Sequence, residues 1–394
     1  MLLPAWVSAG LFIAALLGPL CTFIIYPAGI FILSLFAGKW KPIEPVRETE
    51  FPTISLLVAV RNGTALIARK VKDTFEQNYP GEKLEIIVFS DGSTDDTMSI
   101  LDAIDDPRLR VMCSDKHIGK AAALNRAAEQ ANGEILVFTD ADAILAPDAL
   151  SSLVRHFSDP EVGGVCGQRR IARGSDGLRE AQSRYIEFDS LIKRAESRTG
   201  SISSNDGKLY AIRAALFTPI DPAATDDLYT ALATVRQGKR FVFEPRAVAA
   251  ITKPSRDVAH ELSRRRRVVC RSLHGIWMNR VLLNPFRFGF FSLELLANKI
   301  VRRLLPFCLI LLLISTILLC FVHPFFVLVM VAQLSLYTLA LSYPYMARPL
   351  PKAFEPVQRA ASTACYFCAG NLGTLLGVLD FLQGRKIDKW TPKK

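Results

Sequence analysis

Three stretches of this 394-residue chain contain no Asp, Glu, Lys or Arg: Leu2 to Gly38, Leu304 to Ala347, and Ala360 to Leu379. Uncharged apolar runs of that length belong in a bilayer and exclude an ordinary soluble enzyme of two or three domains. Mean hydropathy is +0.25 and half the residues are hydrophobic, which excludes a disordered chain. No basic residue precedes the first run, so a cleaved signal peptide is not expected. Cysteine is sparse: eight are scattered, five of them in the uncharged runs, and none is spaced with histidines as a zinc site requires. No disulfide is expected. Cys365 and Cys368 form the one C-x-x-C, and in an apolar helix such residues more often serve as small packing groups than as a redox pair.

The second run would make a helix about 66 Å long at roughly 1.5 Å per residue, twice a bilayer core. His323 and Pro324 therefore mark a hairpin between two spans. The first run reads as one span, with a turn at Gly18 and Pro19 as the alternative. Lys39, Lys41 and Arg47 follow the first run, and Lys299, Arg302 and Arg303 precede the second, which puts the polar middle in the cytosol. Arg348, Lys352 and Arg359 return inside by the same rule. A full span over Ala360 to Leu379 would put Arg385, Lys386, Lys389, Lys393 and Lys394 outside, against the rule, so that segment is either re-entrant or an exception.

Between Phe51 and Lys253, short β-branched runs alternate with helical stretches, the pattern of an α/β domain with a mostly parallel central sheet. Strands are expected at Ile54–Val60, Leu84–Phe89, Arg110–Cys113 and Glu134–Phe138. Helices are expected at Ala65–Gln77, Thr94–Ile104, Gly119–Ala131 and Leu228–Gln237. Ligands of open α/β sheets sit beyond the carboxyl ends of strands. Three strands end on polar motifs: Arg61-Asn62-Gly63, Ser90-Asp91-Gly92-Ser93-Thr94-Asp95, and Asp140-Ala141-Asp142. Carboxylates at i and i+2 of an extended segment project to one side, about 7 Å apart, which suits a divalent cation carrying a diphosphate. The plainer alternative is that these acids cap helices and solvate loops.

These motifs, with Asn78-Tyr79-Pro80, Gly119-Lys120-Ala121-Ala122-Ala123-Leu124-Asn125, Thr225-Asp226-Asp227-Leu228, Gly238, Pro245, Leu283-Asn284-Pro285 and Lys389-Trp390-Thr391-Pro392, resemble in order and spacing the membrane-embedded family 2 glycosyltransferases. That family carries a GT-A catalytic domain and includes cellulose, chitin-oligosaccharide, poly-N-acetylglucosamine and hyaluronan synthases. The resemblance covers nearly the whole chain. It implies an N-terminal transmembrane segment at 1–38, a linker at 39–50, a cytosolic GT-A domain at 51–253, amphipathic interfacial helices at 254–303, two to three transmembrane helices at 304–380 and a basic tail at 381–394.

The resemblance also implies roles. Asn62, Asp91, Lys120 and Asp140 would bind the nucleotide sugar, with Asp91 on the base, Asp140 nearer the ribose and Lys120 facing the diphosphate. Asp142, with Asp140, would hold Mg2+ or Mn2+. Asp227 would be the general base of an inverting transfer, since a sugar hydroxyl needs its proton taken as it attacks the anomeric carbon. Asp226 would cap the following helix and, with Arg264 and Arg267, lie on the acceptor and diphosphate side. Lys120 reads equally well as a solvated helix-start lysine, and Gly119-Lys120 is not a P-loop because the upstream glycine and the following Ser or Thr are absent.

The chain departs from the family at Arg264-Arg265-Arg266-Arg267-Val268, where the family has Q-x-x-R-W. Arg264 replaces the glutamine and Val268 the tryptophan of the acceptor platform, leaving Trp277 or Tyr185 as substitutes and processivity in question. Arg61-Asn62-Gly63 also lacks the flanking proline and acid of many members. The basic run from Pro254 onward otherwise reads as a segment lying on an anionic leaflet. The function expected is an inverting, metal-dependent transferase moving sugar from a nucleotide donor, most often UDP-linked, to a polysaccharide or lipid-linked acceptor in exopolysaccharide or envelope glycan synthesis. A single-sugar glycolipid enzyme is the alternative within that class, and a non-catalytic nucleotide-binding scaffold the alternative outside it. A bacterial inner membrane is expected from the short loops and compact size, and contact with membrane lipids and no nucleic-acid partner are expected because the basic residues flank the membrane runs. A secreted polymer would require a channel, built with a second copy or an export partner.

Overall fold

The computed structural model describes residues 4–37, 50–171, 177–251, 258–346 and 354–386. Lys39, Lys41, Arg47 and most of the linker, Lys253 and Pro254, Arg348 and Lys352, and the tail with Lys389-Trp390-Thr391-Pro392, Lys393 and Lys394 lie outside the described residues.

One eight-stranded sheet organises the polar middle, built from β1 (Ile54–Val60), β2 (Leu84–Asp91), β3 (Leu109–Ser114), β4 (Ile135–Thr139), β5 (Ala143–Leu145), β6 (Val162–Ile171), β7 (Leu209–Arg213) and β8 (Arg240–Ile251). Their order is β3-β2-β1-β4-β7-β6-β8-β5. The first four pair in parallel, as the alternating pattern predicts, and β7 then enters antiparallel on both sides, so the whole sheet is mixed. The near-continuous apolar runs of β1, β2 and β4 follow from burial on both faces. Leu56, Val58, Ile86, Val88 and Val137 fill one side, and Leu57, Ile87, Phe89, Phe138 and Tyr210 the other. Order reverses between β1 and β4, where a crevice opens at the strand carboxyl ends.

The helices that frame the crevice and the apolar ends are α1 (Ala5–Phe36), α2 (Ile67–Phe75), α3 (Lys120–Glu129), α4 (Gly177–Thr199), α5 (Asp226–Arg236), α6 (Val258–Met278), α7 (Phe290–Cys320), α8 (Phe325–Met346) and α9 (Glu355–Leu382). Among the described residues, α1, α7, α8 and α9 are long and apolar enough to cross a membrane. α1 is one helix that widens to a π turn at Cys21–Ile25 instead of breaking at Gly18 and Pro19. Gly18 is instead the point where Cys308 of α7 approaches; a Cβ there would meet its Sγ at 2.5 Å. The turn between α7 and α8 falls at His323 and Pro324. α7 starts at Phe290, earlier than the uncharged run, because Gly289 at φ 56° ends the short helix before it.

α9 lies against α6. A Cβ at Gly373 would fall 2.9 Å from Leu262 O, and one at Gly377 2.5 Å from Arg266 O, so the two helices touch backbone to backbone. Arg266 forms a two-pronged ion pair with Asp380 at the far end of the contact. α6 is in turn tied to the sheet domain, where Arg271 donates to Ala224 O.

Candidate active site

The crevice is lined first by the turns after β1 and β2. Asn62 has a φ of 52°, a conformation asparagine tolerates, and its Oδ1 accepts from Thr94 N at 2.8 Å. Gly63 N donates to Thr97 Oγ1 at 2.8 Å and Thr64 N to Asp95 Oδ2 at 3.3 Å. Asp95 is thus a strut between the two turns. Burial opposes its charge, but hydrogen bonds from Thr64 and Thr97 hold it down at about 2. Gly92, at φ 60°, is obligatory: a Cβ would meet His117 N at 2.6 Å.

That close approach brings the 117–119 loop onto Asp91. Asp91 is 3% exposed. It accepts from Ile118 N at 2.7 Å and Gly119 N at 2.9 Å, and its Oδ2 lies 2.7 Å from His117 Nδ1. The residue expected to meet a nucleotide base is therefore already engaged by three protein donors, and it fixes the start of α3 and with it Lys120. Asn125, from the same motif, clamps Ile220 through both its N–H and C=O.

Lys120 and a residue the sequence motifs do not flag, Lys208, form the charge array. Lys120 Nζ lies 2.7 Å from Asp140 Oδ1 and 2.8 Å from Asp226 Oδ2. Lys208 Nζ lies 2.9 Å from Asp140 Oδ2 and 2.7 Å from Asp142 Oδ1. Both oxygens of Asp140 are thus on ammonium groups. Burial works against its charge, yet the two lysines hold it below the usual carboxylate range. Behind the array, buried Lys70 donates to Thr139 Oγ1 at 3.2 Å and Ala143 O at 2.8 Å; burial brings it down to about 8. Lys208 follows Gly207 at the start of β7, where a lysine looks like a solvated strand end, so no sequence pattern marks it.

The expected cap of α5 is Asp226. The structure corrects this: Asp226 turns to Lys120, and Asp227 Oδ1 accepts from Leu228 N at 2.7 Å. The cause is charge, since an ion pair outcompetes a neutral backbone donor. Asp227 lies under Gly207, with its backbone carbonyl held by Asn205 Nδ2 at 3.0 Å. Burial, then the adjacent Asp226 carboxylate, push Asp227 up to about 6.

The arginine run divides by helical face. Arg264 is committed to buried Glu261, at 3.0 and 2.8 Å, because Glu261 sits one turn back on the same face. Arg267 is half-buried; burial, Arg271 and Arg264 lower it to about 10, while Asp140 attracts it. Tyr185 is unavailable as a sugar platform. Arg265 and Arg302 lie 5.4 and 5.1 Å from its ring centroid, and Arg302 donates to its hydroxyl at 3.0 Å. Trp277 is 61% exposed, with Arg280 5.2 Å from its ring centroid.

Among the described residues no cluster of three His, Cys, Asp or Glu exists that would cage a metal. Two carboxylates nonetheless form a hard oxygen donor set, which suits Mg2+ or Mn2+ when phosphates supply the other ligands. Asp142 is the more open, with 36% of its side chain exposed. The oxygen donor set fits such an ion, and in this structure Lys208 Nζ contacts both carboxylates.

Comparison with known proteins gives a family model, Glycosyl transferase family 2, matching residues 55–217. A poly-beta-1,6-N-acetyl-D-glucosamine synthase of Staphylococcus aureus is 28% identical over 250 residues, 61% of this chain and 55% of the relative. A beta-monoglucosyldiacylglycerol synthase of Synechocystis is 30% identical over 162 residues, 40% of this chain and 34% of the relative. The chain thus spans about half the length, or less, of the curated relatives it matches. A solved structure of a Pyrobaculum calidifontis mannosyltransferase, in complex with GDP-Man and Mn2+, covers 95% of this chain and 99% of its own at 24% identity and a TM-score of 0.66. That likeness extends the shared fold across both the sheet domain and the apolar helices.

Proposed function

From the premise that residues 55–217 form a glycosyl transferase family 2 domain, we propose that the protein is an inverting glycosyltransferase using a nucleotide-diphosphate sugar, with a glycan or lipid-linked acceptor at a membrane. The observation that carries this is Asp227, a half-buried carboxylate raised to about 6 beside an array of acids and lysines at the switch point of the sheet. At neutral pH it is ionised and basic enough to accept a proton. The acceptor hydroxyl oxygen attacks the anomeric carbon, its proton passes to Asp227, and the bond from that carbon to the diphosphate breaks, releasing the nucleoside diphosphate. Attack from the face opposite the leaving group inverts the carbon.

Asp140 and Asp142 would hold Mg2+ or Mn2+, which when bound supplies electrostatic stabilisation of the leaving diphosphate. Lys120 orients Asp140 and Asp226 and adds positive charge beside the phosphates. Asn62 belongs to the crevice wall through its turn, and Asp91 acts on the donor side by positioning the 117–119 loop. Arg267 is the residue of the arginine run best placed for the diphosphate or acceptor, since Asp140 attracts it. A UDP-sugar is the first donor to try.

Two observations favour single addition to a lipid over processive polymerisation. Val268 stands in the position of the family's tryptophan, and the Tyr185 ring is already engaged by the guanidinium groups of Arg265 and Arg302. The membrane reading is that α1, α7 and α8 span a bacterial inner membrane with the sheet domain in the cytosol. The close contact of α9 with α6 supports an interfacial α9, which keeps Arg385 and Lys386 on the catalytic side, as the positive-inside rule asks.

The test is incubation of detergent-purified protein with UDP- and GDP-sugars and Mg2+ or Mn2+, with nucleotide release and product size as readouts. Release with one lipid-soluble product supports the single-addition reading, and a ladder of long products supports a polysaccharide synthase. Silence with every donor overturns the enzyme reading.

A further inference from the structure

We propose that Lys208 is the resident counter-cation of the Asp140 and Asp142 pair, and that it must leave this pair before a divalent cation and the donor diphosphate are seated. The proposal rests on the transferase function and deepens it. Lys208 Nζ lies within 2.9 Å of both carboxylates. An ammonium there occupies the charge position a divalent cation would need, and two cations sharing that space repel.

The two lysines of the array differ in what ties them. Lys120 bridges Asp140 to Asp226, so it keeps a carboxylate partner when the D-x-D pair takes a metal. Both ion-pair partners of Lys208 belong to the D-x-D pair itself, so Lys208 is the one displaced. Its backbone is fixed: Lys208 N donates to Asp206 Oδ1 at 3.2 Å, and its carbonyl accepts from Thr139 Oγ1 at 2.8 Å. Asp206 is in turn paired with Arg169 at 3.2 Å. Only the flexible four-carbon stem has to move, and the freed ammonium exchanges a carboxylate for a phosphate oxygen of the donor. Metal and nucleotide are then coupled: each removes an obstacle to the other, and neither binds well alone.

The experiment titrates Mn2+, by electron paramagnetic resonance, into the full-length protein in detergent, first without nucleotide and then with UDP or GDP. Wild type binds Mn2+ weakly alone and much more tightly with nucleotide. Lys208→Met tightens nucleotide-free Mn2+ binding by about tenfold or more, since a like charge is removed, and it shrinks the effect of nucleotide on Mn2+ affinity. Lys208→Gln gives the same direction and carries the test should the methionine variant misfold. Asp142→Asn combined with Lys208→Met abolishes the gain, locating it at this pair. Unchanged or weaker nucleotide-free Mn2+ binding in both Lys208 variants, with wild type still binding Mn2+ and nucleotide together, overturns the Lys208 proposal alone. Absence of Mn2+ binding to wild type with either nucleotide overturns it together with the metal assignment of the proposed function.

Discussion

Two of the carboxylate clusters among the described residues, one half-buried and one fully buried, are satisfied in opposite ways. At the sheet crevice, Asp140, Asp142 and Asp226 are balanced by the ammonium groups of Lys120 and Lys208. At the junction of the domain with the apolar helices, Glu196 is fully buried and accepts from neutral donors: the Tyr26 hydroxyl of α1, Ser203 N at 2.9 Å, Ser203 Oγ at 2.6 Å and Asn298 Nδ2 of α7 at 3.1 Å. Burial raises Glu196, whereas the lysines keep Asp140 low. Ammonium groups on long stems can be exchanged for another cation, while hydroxyl and amide donors on three packed elements cannot leave without unpacking them. The first cluster is suited to ligand exchange and the second to joining α1, α4 and α7.

The comparison breaks most visibly at Asp227. Asp227→Asn should lower transfer by about 10²–10⁴-fold while donor binding stays near wild type, because a proton acceptor and not a ligand is lost. Loss of nucleotide binding in that variant would move Asp227 into the binding array. Because Asp227 sits near 6 and a general base acts only when deprotonated, the proposed role predicts that wild-type kcat/KM falls as pH drops through about 6 and levels off above it. Next in size, Asp142→Asn should weaken Mn2+-dependent nucleotide binding by roughly tenfold or more, as even loss of an outer-shell partner does. An unchanged metal response would refute the pair as the cation site.

Glu196→Ala sharpens the contrast from the other side. It should destabilise the protein by about 1–3 kcal/mol by leaving buried donors unpaired, measured by thermal unfolding in detergent, with transfer per folded molecule unchanged. A collapse of transfer comparable to Asp227→Asn would mean the two clusters act as one. The smallest effect is expected for Trp277→Ala, which should leave product length unchanged; shorter products would make Trp277 the acceptor platform.

The parallel half of the sheet was legible in the sequence because β1, β2 and β4 are short apolar runs that each end on a polar motif. The acids of the site were legible for the same reason, and the structure gathers Asp140, Asp142 and Asp226 around Lys120 and Lys208. What escaped were partners set by tertiary contact. Lys208 is 66 positions from Asp142 and carries no motif. The turn of Asp226 toward Lys120, and of Arg264 toward Glu261, depends on which charge lies nearest in space. Glu196 reads as one more acid on an amphipathic helix until Tyr26 and Asn298 arrive beside it.

The charge array also has a history within each round of synthesis. Asp140 and Asp142 leave the ribosome with Lys120 already made, whereas Lys208 follows roughly 3–13 s later at ordinary elongation rates. Asp226 and Asp227 come later still, and α6 to α9 after them. Strands β1 to β4 and the two carboxylates are therefore all made before β7 exists. Closure of β7 onto β4 is the step that brings Lys208 beside them.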